Sequence, residues 1–172
     1  MIHDFDSDLA QSQARGADDD IWFARYHRLF VGERELVSVR FETDRDRQLQ
    51  GVDRVLTFAD GGTETVDEKE RLTDYGDVAL EVWSSFERRR PGWIKGTKVC
   101  DWIAWVVLPK RRIWLLDYVQ LCQLYEVRKR AWADAGYRRI ESRNVGYTTV
   151  SVCVPRPEIL SAVDHKAGGF DI

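Results

Sequence analysis

Histidine, cysteine, methionine and proline are all scarce in this chain: three His, three Cys, one Met and four Pro among 172 residues. His3, His27 and His165 are too few and too scattered to build a histidine-rich metal centre. Cys100, Cys122 and Cys153 are odd in number, contain no C-x-x-C pair and sit in apolar runs. They are expected as buried free thiols of a reducing compartment, not as zinc ligands. No apolar run approaches the roughly 20 residues of a membrane-spanning helix. The acidic N-terminal stretch carries no signal-peptide pattern, so the cytoplasm is the expected location. There is no G-x-x-x-x-G-K-[ST] loop, no G-x-G-x-x-G turn and no G-x-S-x-G elbow, which removes the common nucleotide-binding and serine-nucleophile chemistries. No internal repeat or low-complexity stretch appears.

What is present is an ordinary globular composition, 44% hydrophobic and 32% charged, in a length that suits one domain with a proper core. A single domain over 1–172 is expected, with 1–17 and 166–172 as loose tails. The net charge of −3 conceals an asymmetry. Residues 1–86 hold 10 Lys/Arg against 20 Asp/Glu, whereas residues 87–130 hold 11 against 4. Attraction to phosphate is local at physiological salt, so an acidic chain with its cations gathered in one region can still bind a polyanion.

The most informative stretch is 51–71, GVDRVLTFADGGTETVDEKER. Val52–Phe58 and Thr63–Arg71 read as two strands rich in β-branched residues, and Asp60-Gly61-Gly62 supplies the left-handed backbone of a hairpin turn. With a three-residue loop, Ala59 stands opposite Thr63, and Asp53 falls across from Lys69 with Asp67 one diagonal step away. Alternation puts Asp67, Lys69 and Arg71 on one face. Two carboxylates converging with an ammonium suit a hard divalent ion such as Mg²⁺. The plainer reading is a surface hairpin with a cross-strand Asp–Lys pair.

Asp53 followed by Asp67-Glu68-Lys69 on the next strand resembles the PD-(D/E)xK, or restriction-endonuclease-like, nuclease superfamily. Val52 stands where the motif's proline would be. The wider run, GVDRVLTF…TVDEKER…DYGDVALEVWSSFERRRPGWI, also resembles small nuclease-like proteins of phages and mobile elements. The likeness spans about residues 50–155. It implies an α/β fold, a mixed sheet flanked by helices with a restriction-endonuclease-like core. It further implies that Asp53 and Asp67 bind Mg²⁺, with Mn²⁺ able to substitute, helped by the Glu68 main-chain carbonyl. Lys69 then orients or activates the attacking water. Another acid often joins such a site, and Glu33, Glu35 and Glu42 are the local options. Small domains of this kind usually cut duplexes as dimers, so a homodimer or larger complex is the implied assembly.

In chain order, a short helix is expected around Leu9–Ala14. Asp18-Asp19-Asp20 then caps a helix from Ile21 to about Val31 whose stripe is Trp22, Phe23, Tyr26, Leu29 and Phe30. Leu36–Phe41 alternates as a strand, and the charged segment Glu42–Gln50 connects it to the hairpin, with Gln50 placed to line the same groove. Val78–Trp83 is a third strand. Its Glu81 either faces solvent at an edge or contributes to the acidic cluster, because an unpaired buried carboxylate is costly. Phe86–Lys98 reads as a flexible basic loop. Its Arg88, Arg89, Arg90, Lys95 and Lys98, together with Arg71, are candidate phosphate ligands, and Trp93 is more simply a core plug. Cys100–Leu108 and Arg112–Leu116 are strands apolar enough to need helices on both faces. Tyr118–Ala135 is the longest helix, ended by Gly136. Arg138, Arg139 and Arg143 fall in a polar loop before a strand over Tyr147–Val154 and a short helix, Glu158–Val163.

Two functions are carried by these residues. One is a Mg²⁺-dependent nuclease hydrolysing phosphodiester bonds in DNA, less readily RNA. The other is a catalytically inactive nuclease-fold subunit that binds nucleic acid or a protein partner.

Overall fold

Asp19 and Asp20 open the first helix, α1 (Asp19–Phe30), placing negative charge at the positive end of the helix dipole. Its apolar side chains at Trp22, Tyr26, Leu29 and Phe30 are buried, the i, i+4, i+7 spacing of one helical face. The computed structural model describes residues 19–170. The helix expected at Leu9–Ala14, the Asp18 cap and the N-terminal tail lie outside those residues.

The chain forms two compact units. The first comprises the described residues 19–75, 98–118 and 164–170. Its elements are α1, β1 (Leu36–Phe41), α2 (Arg45–Leu49), β2 (Arg54–Phe58), β3 (Thr63–Arg71), β6 (Trp102–Val107), β7 (Arg112–Asp117) and β10 (His165–Gly169). They make a six-stranded sheet in the order β1-β2-β3-β6-β7-β10. All neighbours are antiparallel except β3 and β6, which run parallel with Val66 beside Trp102 and Arg71 beside Val107. Helix α1 covers one face, where Trp22, Tyr26 and Phe30 pack with Leu56, Phe58, Val66, Ala104, Val106, Ile113 and Leu115. Each Leu, Ile, Val or Phe among them contributes about 1.5–3 kcal/mol on burial.

The second unit comprises 76–97 and 119–163. It holds β4 (Asp77–Ser85), β5 (Arg90–Pro91), most of α3 (Tyr118–Asp134), β8 (Arg139–Asn144), β9 (Tyr147–Pro155) and α4 (Arg156–Leu160). Its sheet is antiparallel, in the order β5-β4-β9-β8. The mixed α/β class with flanking helices therefore stands, distributed over two sheets.

Three segments differ from the sequence reading. Residues 166–169, part of the 166–172 stretch expected as loose tail, form with His165 the strand β10 (His165–Gly169), paired antiparallel to β7 from His165 beside Leu116 to Gly169 beside Arg112. A run of His, Lys, Ala and two Gly has low strand propensity. Main-chain pairing to an open edge and close approach to α1 override it: a Cβ on Gly168 would collide with Leu29 Cδ2. Arg139–Asn144, expected as polar loop, is an edge strand, where charged residues are tolerated on both faces. The basic loop is a hairpin, β4 turning into β5, followed by one 3₁₀ turn at Trp93–Lys95. Trp93 is buried, as the core-plug reading required.

Gly92 closes that hairpin. Its N–H donates to Val82 O at 3.0 Å, and a Cβ there would drive into the main-chain carbonyl of Glu81. Gly92→Ala is expected to destabilise the protein by about 1–3 kcal/mol, read as a lowered urea midpoint against wild type.

Candidate active site

The hairpin at 51–71 forms, but in a different register. Thr57 pairs with Thr63, Leu56 with Glu64 and Arg54 with Val66, two residues away from the expected pairing of Ala59 with Thr63. The loop is three residues long but sits one residue earlier than expected, at Ala59-Asp60-Gly61: Phe58 N–H donates to Gly62 O, Gly61 N–H to Phe58 O, and Asp60 Oδ1 accepts from Gly62 N–H. A shift of two preserves the facing of every side chain, whereas a shift of one would have reversed it. Asp53 consequently does not lie across from Lys69. Its N–H donates to Val66 O at 2.8 Å, and its Oδ2 accepts from Glu68 N–H at 2.8 Å, so it lies against the segment that carries Asp67.

Asp53, Asp67 and Lys69 come together there. Asp67 is only 2% exposed, and its Oδ1 accepts from Lys69 Nζ at 2.5 Å. Its Oδ2 is buried without a hydrogen-bond partner. Burial pushes the Asp53 carboxyl up to about 6, and the Asp67 charge acts in the same direction. Lys69 and the Glu68 N–H pull it back without offsetting the rise. The two carboxyl groups are thus held together by the sheet with one ammonium beside them; protonated Asp53 shares a hydrogen bond with Asp67, and once Asp53 ionises Asp67 Oδ2 is left without a donor. Among the described residues no group of three or more His, Cys, Asp or Glu forms a metal cluster. The donor set fits Mg²⁺ all the same, since that ion commonly takes one or two carboxylates and completes its shell with water and phosphate.

The opposite face of β3 carries a polar network that sequence reasoning missed. Arg54 is fully buried. Its Nε donates to Glu68 Oε1 at 2.9 Å and its Nη1 to Asp19 Oδ1 at 3.0 Å, while its guanidinium lies 4.6 Å from the Trp22 ring centre. Tyr26 Oη donates to the same Glu68 oxygen at 2.7 Å, and Asp19 Oδ1 also accepts from Phe41 N–H. Burial raises Glu68 to about 7 against the pull of Arg54, and burial with the adjacent Glu68 raises the Tyr26 hydroxyl. The signal available in sequence was an Arg and a Glu on facing strands, each at a position whose neighbours two residues away are apolar or paired inward.

The other candidates are placed separately. Arg71 ends β3 with its guanidinium 4.4 Å from the Trp105 ring centre. Gln50 is exposed, caps α2, and accepts from Val99 N–H through its carbonyl. Glu42 accepts from Asp44 N–H and pairs with Arg47; Glu33 pairs with Lys166. Lys98 donates to Leu49 O at 3.0 Å and its stem packs on Gly51, which commits it to the turn before Asp53. Glu81, Arg88, Arg89, Arg90 and Lys95 all belong to the second unit. Glu81 is half-buried on β4 beside Ser151 of β9. Lys95 Nζ lies 3.2 Å from the Trp83 ring centre. Cys100 and Cys153 are buried and Cys122 half-buried, all as free thiols; burial pushes the Cys100 thiol up to about 12, so it is no nucleophile.

No protein-family model matches the chain, and no curated protein matches it either. Among the described residues no helix is long and apolar enough to cross a membrane.

Two outcomes follow from these contacts. Arg54→Met leaves Glu68 buried without its cation and is expected to cost about 3–5 kcal/mol in denaturant unfolding. The Arg54→Met/Glu68→Met double variant should recover part of that loss. Asp53 and Glu68 both hold protons in the fold that the unfolded chain releases at lower pH. Their contribution to stability is therefore fullest at and below about pH 4 and is lost as pH rises from there through about 6 for Asp53 and about 7 for Glu68. In EDTA, unfolding free energy should drop over that window, with about 2–3 kcal/mol assignable to Asp53 and removed from the pH profile by Asp53→Asn.

Proposed function

We propose that the chain is a Mg²⁺-dependent phosphodiesterase acting on nucleic acid, DNA before RNA, built on a restriction-endonuclease-like core. The observation that carries this reading is the buried Asp67 Oδ2, without a hydrogen-bond partner beside the upshifted Asp53 carboxyl and with Lys69 on the other oxygen of Asp67. The antiparallel run β1-β2-β3, with the first acid at the entry to β2 and Asp-Glu-Lys on β3, supports the core assignment.

Asp53, Asp67 and the Glu68 main-chain carbonyl would hold the ion. When bound, Mg²⁺ lowers the pKa of water and balances charge on the phosphate. The chain's own residues do the rest. The Glu68 N–H fixes the Asp53 carboxylate, so its oxygen is aimed before any ligand arrives. Asp67 Oδ1 fixes the Lys69 ammonium in the same spot, where it orients the attacking water or stabilises charge gathering on the phosphate oxygens. Burial of Asp67 keeps competing solvent away and strengthens each of these interactions. Arg71, at the end of β3, is the nearest cation in sequence for a flanking phosphate. Glu81 is not required by this reading, whose acids are Asp53, just before β2, and Asp67 on β3.

The test is cleavage of single- and double-stranded DNA and RNA with Mg²⁺ or Mn²⁺ against EDTA. Metal-dependent cutting is expected, reduced at least 100-fold by Asp67→Ala and by Lys69→Ala, on the order of what charge-stabilising groups contribute. Asp53→Ala should abolish cutting while leaving substrate binding intact. Wild-type protein that binds but cuts nothing would instead indicate the inactive, nucleic-acid-binding subunit.

A further inference from the structure

The second unit is basic where the first is acidic. Its described residues carry eleven Lys/Arg against seven Asp/Glu, whereas those of the first carry fourteen against seventeen. Much of that charge collects around the tip of the β4–β5 hairpin. Phe86, Arg88, Arg89 and Arg90 are all exposed there, Phe86 by 49%. Among the described residues Arg88, Arg89 and Arg90 make no salt bridge, while Arg139, itself paired with Glu141 at 3.0 Å, reaches the tip from β8, its guanidinium 5.5 Å from the Phe86 ring centre.

The tip is braced. Phe86 N–H donates to Thr148 O, Glu87 Oε2 accepts from Thr148 N–H, and Arg89 N–H closes the turn onto Phe86 O. Ser84 Oγ donates to Pro91 O at 3.0 Å on the returning strand. Trp83 meets Phe86 edge-on at 6.4 Å and is covered by Lys95. Arg89 adopts φ of 51°, a left-handed conformation that costs a side chain about 1–2 kcal/mol and is the usual place for glycine. A half-exposed phenyl ring and three unpaired arginines are thus held out on a fixed backbone, one of them against its own conformational preference.

We propose that this hairpin tip binds single-stranded nucleic acid, a base stacking on Phe86 and the flanking phosphates engaging Arg88–Arg90 and Arg139. Charge complementarity selects a polyanion, and the exposed ring selects an unpaired base over a duplex, whose bases are already stacked. An acidic protein surface would match the arginines and make less of the ring. The proposal rests on the reading of the chain as a nucleic-acid protein, but not on catalysis, because it involves none of Asp53, Asp67 or Lys69.

The experiment is fluorescence anisotropy of a labelled oligothymidine and a labelled duplex of equal length, with the full chain in EDTA so that nothing is cut. The single strand is expected to bind more tightly than the duplex. Phe86→Ala should weaken it by about 5- to 100-fold, and Arg89→Gly by several-fold with a shallower salt dependence. Glycine suits the local backbone, so Arg89→Gly should leave the melting temperature unchanged or raised, which separates binding from folding. Unchanged affinity in both variants, or a preference for the duplex, would overturn the proposal. Asp67→Asn keeps the two readings apart: its anisotropy in EDTA should match wild type, whereas its cleavage in a separate Mg²⁺ assay tests the nuclease reading alone.

Discussion

The buried Arg54–Glu68 ion pair sets the terms for the rest of the first unit. A guanidinium with no solvent exposure is tolerable only if charged and polar groups meet it, and they do: Glu68 from β3, Asp19 from α1, and Tyr26 reinforcing Glu68. Burying these groups is costly in itself, and apolar replacements could be as stable. What the pair supplies is register. Only one alignment of β2 against β3 brings Arg54 to Glu68, and that alignment leaves Asp67 and Lys69 on the face turned away from α1, with Asp53 tied to the Glu68 N–H. Each strand is pinned on one side by an ion pair and carries the candidate chemistry on the other.

The same alternation explains why the site is electrostatically tense. Asp67 and Lys69 bracket Glu68, so fixing Glu68 inward fixes them outward. Asp53 is then held beside Asp67 by main-chain hydrogen bonds, and its carboxyl is pushed up to about 6, by burial first and by the Asp67 charge second. The arrangement is what a hard cation needs before it arrives: oxygen donors already desolvated, already close, and already oriented.

Much of this was legible in the residues. Strand alternation, the glycine-rich turn and the Asp…Asp-x-Lys spacing led to the correct hairpin and the correct shared face. The register was missed by two because either of the two adjacent glycines can take the left-handed position of a three-residue loop within Ala59–Gly62, and period-two patterning cannot distinguish shifts of two. The inward role of Arg54 and Glu68 was hidden because a charged residue in a strand ordinarily signals solvent. Strands β8 and β10 were missed for a related reason: edge strands are held by main-chain pairing, which leaves little trace in side-chain chemistry. The division into two units, with Glu81 and the basic hairpin in one and Asp53, Asp67 and Lys69 in the other, is a matter of tertiary contacts that no local pattern encodes.

The central claim is that Asp53 and Asp67 form a divalent-cation site, and direct titration of metal-free protein with Mn²⁺ tests it without requiring a substrate. By calorimetry in buffers of different ionisation enthalpy, the account predicts saturable binding that Asp67→Asn removes. It also predicts a proton released per ion at pH 5.5 that dwindles by pH 8, as Asp53 is already ionised there. Absence of binding, or binding that survives Asp67→Asn with no proton release at either pH, would contradict it.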